Sequence, residues 1–136
     1  MRRSFKILFL FIFGYITAQK KSVEKVYFDF DKFSLPSIQK KNIIDFIKNV
    51  DTTIIESAQI YGYCDDRGAN DYNYKLSVNR ANKVKKTLTD FGFNKNKIVI
   101  IEGRGRITLN KDTIENLVET RSKNRRVDLI LVKKIN

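Results

Sequence analysis

Near the end of residues 23–30, VEKVYFDF, apolar and polar positions alternate, and Val26, Phe28 and Phe30 share one face. That period of two predicts a first strand. Ser34 and Pro36 then signal a helix start, serine as a cap and proline in a first turn. Ile43, Phe46, Ile47 and Val50 follow at helical spacing and give that helix a core-facing stripe. A second strand is predicted over residues 54–62, with Ala58, Ile60 and Gly62 on one face. The polar loop 65–71 comes next, with Gly68 and Asn70 as turn formers. A helix of about five turns is predicted to begin near Tyr72 and Asn73. It carries Ser77, Ala81, Val84, Leu88 and Phe91 along one face, and Gly92 stands where a left-handed C-cap would fall.

Residues 98–101, IVII, form an unbroken apolar run that predicts a strand covered on both faces and broken by Gly103-Arg104-Gly105. Ile114, Leu117 and Val118 point to a short helix within a connection, 106–120, whose conformation the sequence leaves open. Val127, Leu129 and Leu131 then alternate in a last strand. The order is strand, helix, strand, helix, strand, short helix, strand. It predicts an α/β sandwich, with a small mixed sheet and helices packed against it.

The first residues change the picture of where this domain resides. Arg2, Arg3 and Lys6 precede an apolar run over residues 7–17, ILFLFIFGYIT, and Ala18 offers a small residue for cleavage. This reads as a secretory signal peptide over residues 1–18. The run is roughly a dozen residues, short of the ~20 that span a bilayer; a retained N-terminal anchor is the alternative. A leader over 19–25, one domain over 26–132 and a frayed tail over 133–136 complete the expected organisation. No cysteine lies near the cleavage point to accept a lipid.

At 136 residues the chain suits one domain with a single core. Its net charge of +12, falling to +9 if Arg2, Arg3 and Lys6 are removed, suits nucleic acid, an anionic membrane face, an anionic polymer outside the cell, or simply a solvated lysine-rich surface. Export argues against nucleic acid. Cys64 is the sole cysteine and there is no histidine, so neither a disulfide framework nor a Ser-His or Cys-His catalytic pair is available. A transition-metal site is close to excluded, and no cofactor is expected.

The candidate chemistry centres on residues 62–80, GYCDDRGANDYNYKLSVNR. Asp65 opens the loop and Arg80 lies two turns into the helix, flanking its apolar stripe. An ionised carboxylate accepts from an ammonium, and a guanidinium fork matches a carboxylate. The two side chains either pair with each other and pin the loop to the helix, or jointly receive a ligand bearing both charges. Arg121, Arg125 and Arg126 form a second basic cluster, read either as a solvated turn or as further donors to the same ligand. Asp29 and Asp31, at the end of the first strand, are a third candidate, with Asp31 read either as a site residue or as a cap of the following loop.

Four blocks, FDFDKFSL, GYCDDRG, YNYKLSVNRANKV and NRRVDL, together resemble the peptidoglycan-binding domain shared by OmpA, Pal and MotB. That family shows a phenylalanine-rich first strand, a G-H-T-D-x-x-G loop, an N-x-x-L-S-x-x-R-A helix and a closing N-R-R-V strand. The resemblance implies a non-catalytic periplasmic module that binds peptidoglycan through the diaminopimelate of the stem peptide. Asp65 would then meet the ammonium and Arg80 the carboxylate. Asp31, Asn73 and Arg125 match further pocket positions, Leu76 would help wall the pocket, and Gly62 and Gly68 would shape the loop. Tyr63 and Cys64 depart from the family's histidine and threonine, and only a backbone N–H at Cys64 could replace the lost hydroxyl. The implied partners are the cell wall and an outer-membrane or envelope complex. A wall-acting enzyme using Asp65 with a second carboxylate, and a basic nucleic-acid binder, are the rival readings.

Overall fold

The computed structural model describes residues 19–135. The expected signal peptide, residues 1–18, lies outside them. Four strands and three helices alternate: β1 (Lys20–Tyr27), α1 (Ser37–Lys48), β2 (Ile55–Cys64), α2 (Asn70–Asp90), β3 (Ile98–Arg106), α3 (Leu117–Asn124) and β4 (Arg126–Lys133). The strands form one mixed sheet in the order β1-β4-β2-β3. β4 runs antiparallel to both neighbours, whereas β2 and β3 are parallel and joined by the α2 crossover. This is the small mixed sheet with packed helices that the hydrophobic pattern predicts. No helix among the described residues is long and apolar enough to cross a membrane.

The core lies between one sheet face and α1 and α2. Val26, Ala58, Ile60, Val127, Leu129 and Leu131 come from the strands and meet Ile43 and Ile47 of α1 with Ala81, Val84 and Leu88 of α2. Burying such side chains is the main stabilising term, roughly 1.5–3 kcal/mol for each large apolar group. Phe91, expected on the same stripe, is half-exposed; Phe93 enters the core instead. The reason is the turn at Gly92, whose φ of +87° reverses the chain between the two rings.

Several boundaries move. β1 begins at Lys20, not Val23, because β4 extends to Lys133 and pairs with it from Lys20↔Lys133 to Tyr27↔Arg126. Residues 20–25, expected as a leader, and Lys133, expected as frayed, therefore belong to the sheet. Phe28 still reaches the core beyond the strand, but Phe30 turns outward. α1 starts at Ser37 with Pro36 at its cap position, without a side-chain cap from Ser34. α2 starts at Asn70, two residues early.

The largest correction concerns β3. It is an edge strand, with Val99 59% exposed, and so is not covered on both faces. It also runs through Gly103 and Gly105 instead of breaking there. Gly103, together with Gly62 of β2, admits α2. A Cβ on Gly103 would lie 2.6 Å from the Val78 nitrogen and from the Ser77 hydroxyl, and one on Gly62 would lie 2.0 Å from the Ser77 carbonyl oxygen. Ser77 is fully buried in this contact, donating to the Tyr74 carbonyl (2.7 Å) and accepting from the Gly105 N–H (2.9 Å). Helix and sheet touch backbone to backbone there, which places the start of α2 beside the end of β2.

Gly62→Ala is accordingly expected to lower unfolding free energy by about 3 kcal/mol or more, the upper range for overpacking, because rigid backbone blocks the new methyl. Gly92→Ala, with open space around it and only its φ to offend, is expected to cost about 1 kcal/mol. Urea midpoints of the two variants check the ranking.

Candidate functional site

The β2–α2 loop, the turn after β1 and the junction of α3 with β4 converge on a pocket of about 170 Å³. Asp31, Cys64, Asp65, Asn73, Leu76, Arg80 and Arg125 all border it. Phe30, Arg67 and Tyr72 border it as well and were not singled out from the sequence.

Arg80 lies beneath this pocket with no exposed surface. Its Nε donates to the Lys32 carbonyl (2.8 Å), Nη1 to the Tyr63 carbonyl (2.9 Å) and Nη2 to the Asp29 carbonyl (3.1 Å). The guanidinium thus binds the turn after β1 to the end of β2. Among the described residues it makes no ion pair. Burial lowers its pKa from the usual arginine value. The expected alternative, in which Asp65 and Arg80 neutralise each other, does not occur.

Asp65 pairs within its own loop. Its Oδ1 accepts from the Arg67 backbone N–H (3.0 Å) and Nε (3.2 Å), and its Oδ2 accepts from Arg67 Nη2 (2.7 Å). Arg125 Nη1 stands 3.5 Å from the same Oδ2, while Arg125 Nε donates to the Phe28 carbonyl (3.0 Å). Burial would raise the Asp65 pKa, but the hydrogen bonds and charge of Arg67, with hydrogen bonding from Arg125, hold it below the ordinary aspartate value. The neighbouring Asp66 faces away from the pocket and receives Arg121 through two bonds, of 2.7 and 3.1 Å. Lys111 stands 3.7 Å from Asp66 as well. Asp66 ties the loop to α3, and chiefly the Arg121 hydrogen bonds lower its pKa.

The three arginines expected as one cluster therefore divide. Arg121 clamps the loop, Arg125 borders the pocket, and Arg126 lies on the open sheet face. There it pairs with Asp128 (2.8 Å) and stacks 4.7 Å from the Tyr63 ring.

Asn73 shapes the loop from below. Its Nδ2 donates to the Arg67 and Ala69 carbonyls (2.6 and 3.1 Å). Gly68 makes the turn there at φ +90°. Asp31 adopts φ +56°, alone among the described non-glycine residues in having positive φ, and accepts a hydrogen bond from the Tyr72 hydroxyl. A left-handed aspartate is tolerated at some cost, a kind of strain that tends to persist at functional sites. Cys64 is buried, and its thiol donates to the Asn73 carbonyl (3.3 Å). Burial pushes the thiol pKa up to about 11. Tyr63, one position earlier on the strand, points to the opposite face, where its hydroxyl accepts from Arg104 Nη1 (3.0 Å).

The residues missed in the sequence lacked a signal of their own. Arg67 sits inside the loop motif as an unassigned position, and Phe30 belonged to a strand pattern that predicted an inward ring. The Asp65-x-Arg67 spacing does permit the local turn, since an aspartate commonly accepts from the backbone two residues on.

Fold and site together define a small α/β domain with a charged pocket at the β2–α2 junction. The sequence profile of the OmpA family matches residues 27–125, and the chain belongs to that family. Outer membrane protein A of Bordetella avium is 33% identical over 106 residues, which cover 78% of this chain and 53% of that protein. The chain thus spans about half the length of this relative. Among solved structures, the OmpA-like domain of FopA1 from Francisella tularensis is 27% identical at a TM-score of 0.65, covering 85% of this chain and 77% of that one. The peptidoglycan-associated lipoprotein of Burkholderia pseudomallei has the same TM-score of 0.65 at 24% identity, covering 79% and 88%. The resemblance carried by the four sequence blocks therefore holds.

Two outcomes follow from the site's titrating groups. A carboxylate with a depressed folded pKa stabilises above its unfolded value, near 4, and loses that contribution as pH falls through the folded value. Asp66→Asn is therefore expected to lower the urea midpoint at pH 7, with the gap to wild type closing as pH falls below the ordinary aspartate value. The Cys64 thiol is expected to react with an aromatic disulfide reagent at pH 8 about a hundredfold more slowly in the native protein than in urea.

Proposed function

We propose that the domain binds peptidoglycan noncovalently and without catalysis, by receiving the diaminopimelate side chain of a stem peptide in the pocket at the β2–α2 junction. That side chain ends in one ammonium and one carboxylate. Asp65, with Asp31 across the pocket, would meet the ammonium. Arg80 and Arg125 would meet the carboxylate, Arg80 as a buried charge that forms no ion pair among the described residues. The single observation that carries this reading is the gathering of these four residues, from three separate parts of the chain, around one pocket. Asn73, Leu76 and Cys64 complete its wall.

The depressed pKa of Asp65 argues against its serving as the general acid of a wall-cleaving enzyme, because a general acid at neutral pH needs its proton held, not released. The Burkholderia relative is by name a peptidoglycan-associated lipoprotein and the Bordetella relative an outer membrane protein, which supports an envelope role. We place the mature domain in the periplasm, after removal of residues 1–18, where it anchors an envelope complex to the wall or coats the wall itself.

Charge-assisted hydrogen bonds contribute roughly 1.5–3 kcal/mol each. Two to four of them, less ordering and desolvation, give an affinity on the order of micromolar to millimolar for one stem peptide. A polymer with many sites holds such a binder by rebinding. The net positive charge adds a nonspecific attraction that salt screens.

Sedimentation with purified sacculi tests the reading. Asp65→Asn is expected to keep its circular dichroism spectrum and lose about tenfold or more in binding, a factor worth roughly 1.4 kcal/mol. Free diaminopimelate is expected to compete with wild type. Unchanged sedimentation of the variant, together with no competition, would leave only general charge attraction. Arg80→Ala is less informative, because it strips three carbonyls of their donor and is expected to cost stability of about 2 kcal/mol or more.

A further inference from the structure

We propose that Arg67 is an internal competitor for the ligand's ammonium: its side chain holds the Asp65 carboxylate while the pocket is empty and leaves when a cationic ligand group arrives. This rests on the assignment of the pocket to diaminopimelate. The geometry is that of a surrogate ligand. Arg67 contacts both Asp65 oxygens through its side chain, at 3.2 and 2.7 Å. With its backbone N–H on Oδ1 as well, Arg67 alone donates three bonds to Asp65. An ionised carboxylate has about four acceptor positions, and Arg125 Nη1 already stands 3.5 Å from Oδ2. An ammonium entering the pocket therefore finds little of Asp65 free.

The two kinds of contact differ in how readily they break. The Arg67 backbone bond is part of the loop turn, and its carbonyl is held by Asn73, so the main chain stays. The side chain is free to leave. It is 37% exposed and lies with its Cζ 3.8 Å from the centroid of Phe30, a ring itself 54% exposed. A guanidinium so placed loses little by returning to water, whereas Asp65, with its side chain 4% exposed, needs a cation in its stead. Only a positively charged group can take that place. Arg67 thus lowers the affinity for a ligand that bears the ammonium and leaves unchanged that of a ligand without one, which never displaces it.

The test is a titration followed by amide chemical shifts, using meso-diaminopimelate and pimelate, the diacid of equal chain length without amines. Arg67→Ala is expected to tighten diaminopimelate binding by about three- to tenfold and to leave pimelate binding unimproved. Phe30→Leu, which removes the stacking ring but keeps the ion pair, is expected to give a smaller gain of the same kind. Urea midpoints confirm that both variants fold. Weaker or unchanged diaminopimelate binding by Arg67→Ala overturns the proposal, the former making Arg67 a direct ligand donor. An equal gain for pimelate overturns it too, since the effect would then be steric. If wild type binds diaminopimelate and Arg67→Ala gains nothing, the stem-peptide reading stands and the competition fails. If neither protein binds it, both readings fall.

Discussion

A buried guanidinium that forms no ion pair among the described residues governs the architecture of the site. Arg80 is fully enclosed and spends its donors on the carbonyls of Asp29, Lys32 and Tyr63. Carbonyl dipoles offset part of the desolvation of a buried cation but carry no net negative charge, so the region keeps a positive potential. The same bonds join the turn after β1 to the end of β2, and the pocket lies between those two segments. Arg80 can reach them because α2 lies directly against the sheet at Gly62 and Gly103, with Ser77 between, one helical turn before Arg80. The chain of dependence runs from two missing side chains, through one buried serine, to the placement of a charge.

Element order, sheet class and core faces were legible in the sequence because they follow from the two hydrophobic periods. Ile43, Ile47, Val84, Leu88, Val127 and Leu129 are all buried as their spacing requires. Errors arose where one residue type serves two ends. Gly103 and Gly105 read as breakers, yet a glycine in a strand equally marks close approach by another backbone. The run at 98–101 read as doubly covered, but hydrophobicity alone does not distinguish a central strand from an edge. Nor does it reveal that β4 is long enough to draw Lys20–Tyr27 into register.

The site was legible to a different depth. The seven residues expected there do border one pocket, although they span positions 31 to 125. Partner choice among the charges was not legible. Asp65 and Asp66 are adjacent, but one turns to the pocket and Arg67, the other to Arg121 of α3. Arg125 and Arg126 are likewise adjacent, and the pleat sends the second to the open face beside Tyr63. A step of one residue reverses direction, and sequence proximity of opposite charges carries no information about which side each takes. The pairing of Asp65 with Arg80, which the strand-loop-helix order allows, loses to a shorter-range alternative that the loop turn already sets up.

The charge balance of the pocket links these observations. Arg67, Arg80 and Arg125 border it with Asp31 and Asp65, so its lining holds three cations and two anions. That count suits no neutral zwitterion. If the Arg67 side chain swings to solvent, two cations and two anions remain. The carboxylates and guanidiniums can then face one ammonium and one carboxylate without surplus charge in a confined space. Since an unbalanced buried charge is far more costly than an unbalanced exposed one, the half-exposed arginine is the member whose departure the site tolerates best. Arg80 cannot serve in this way, because its release would free three carbonyls and part the two walls it joins.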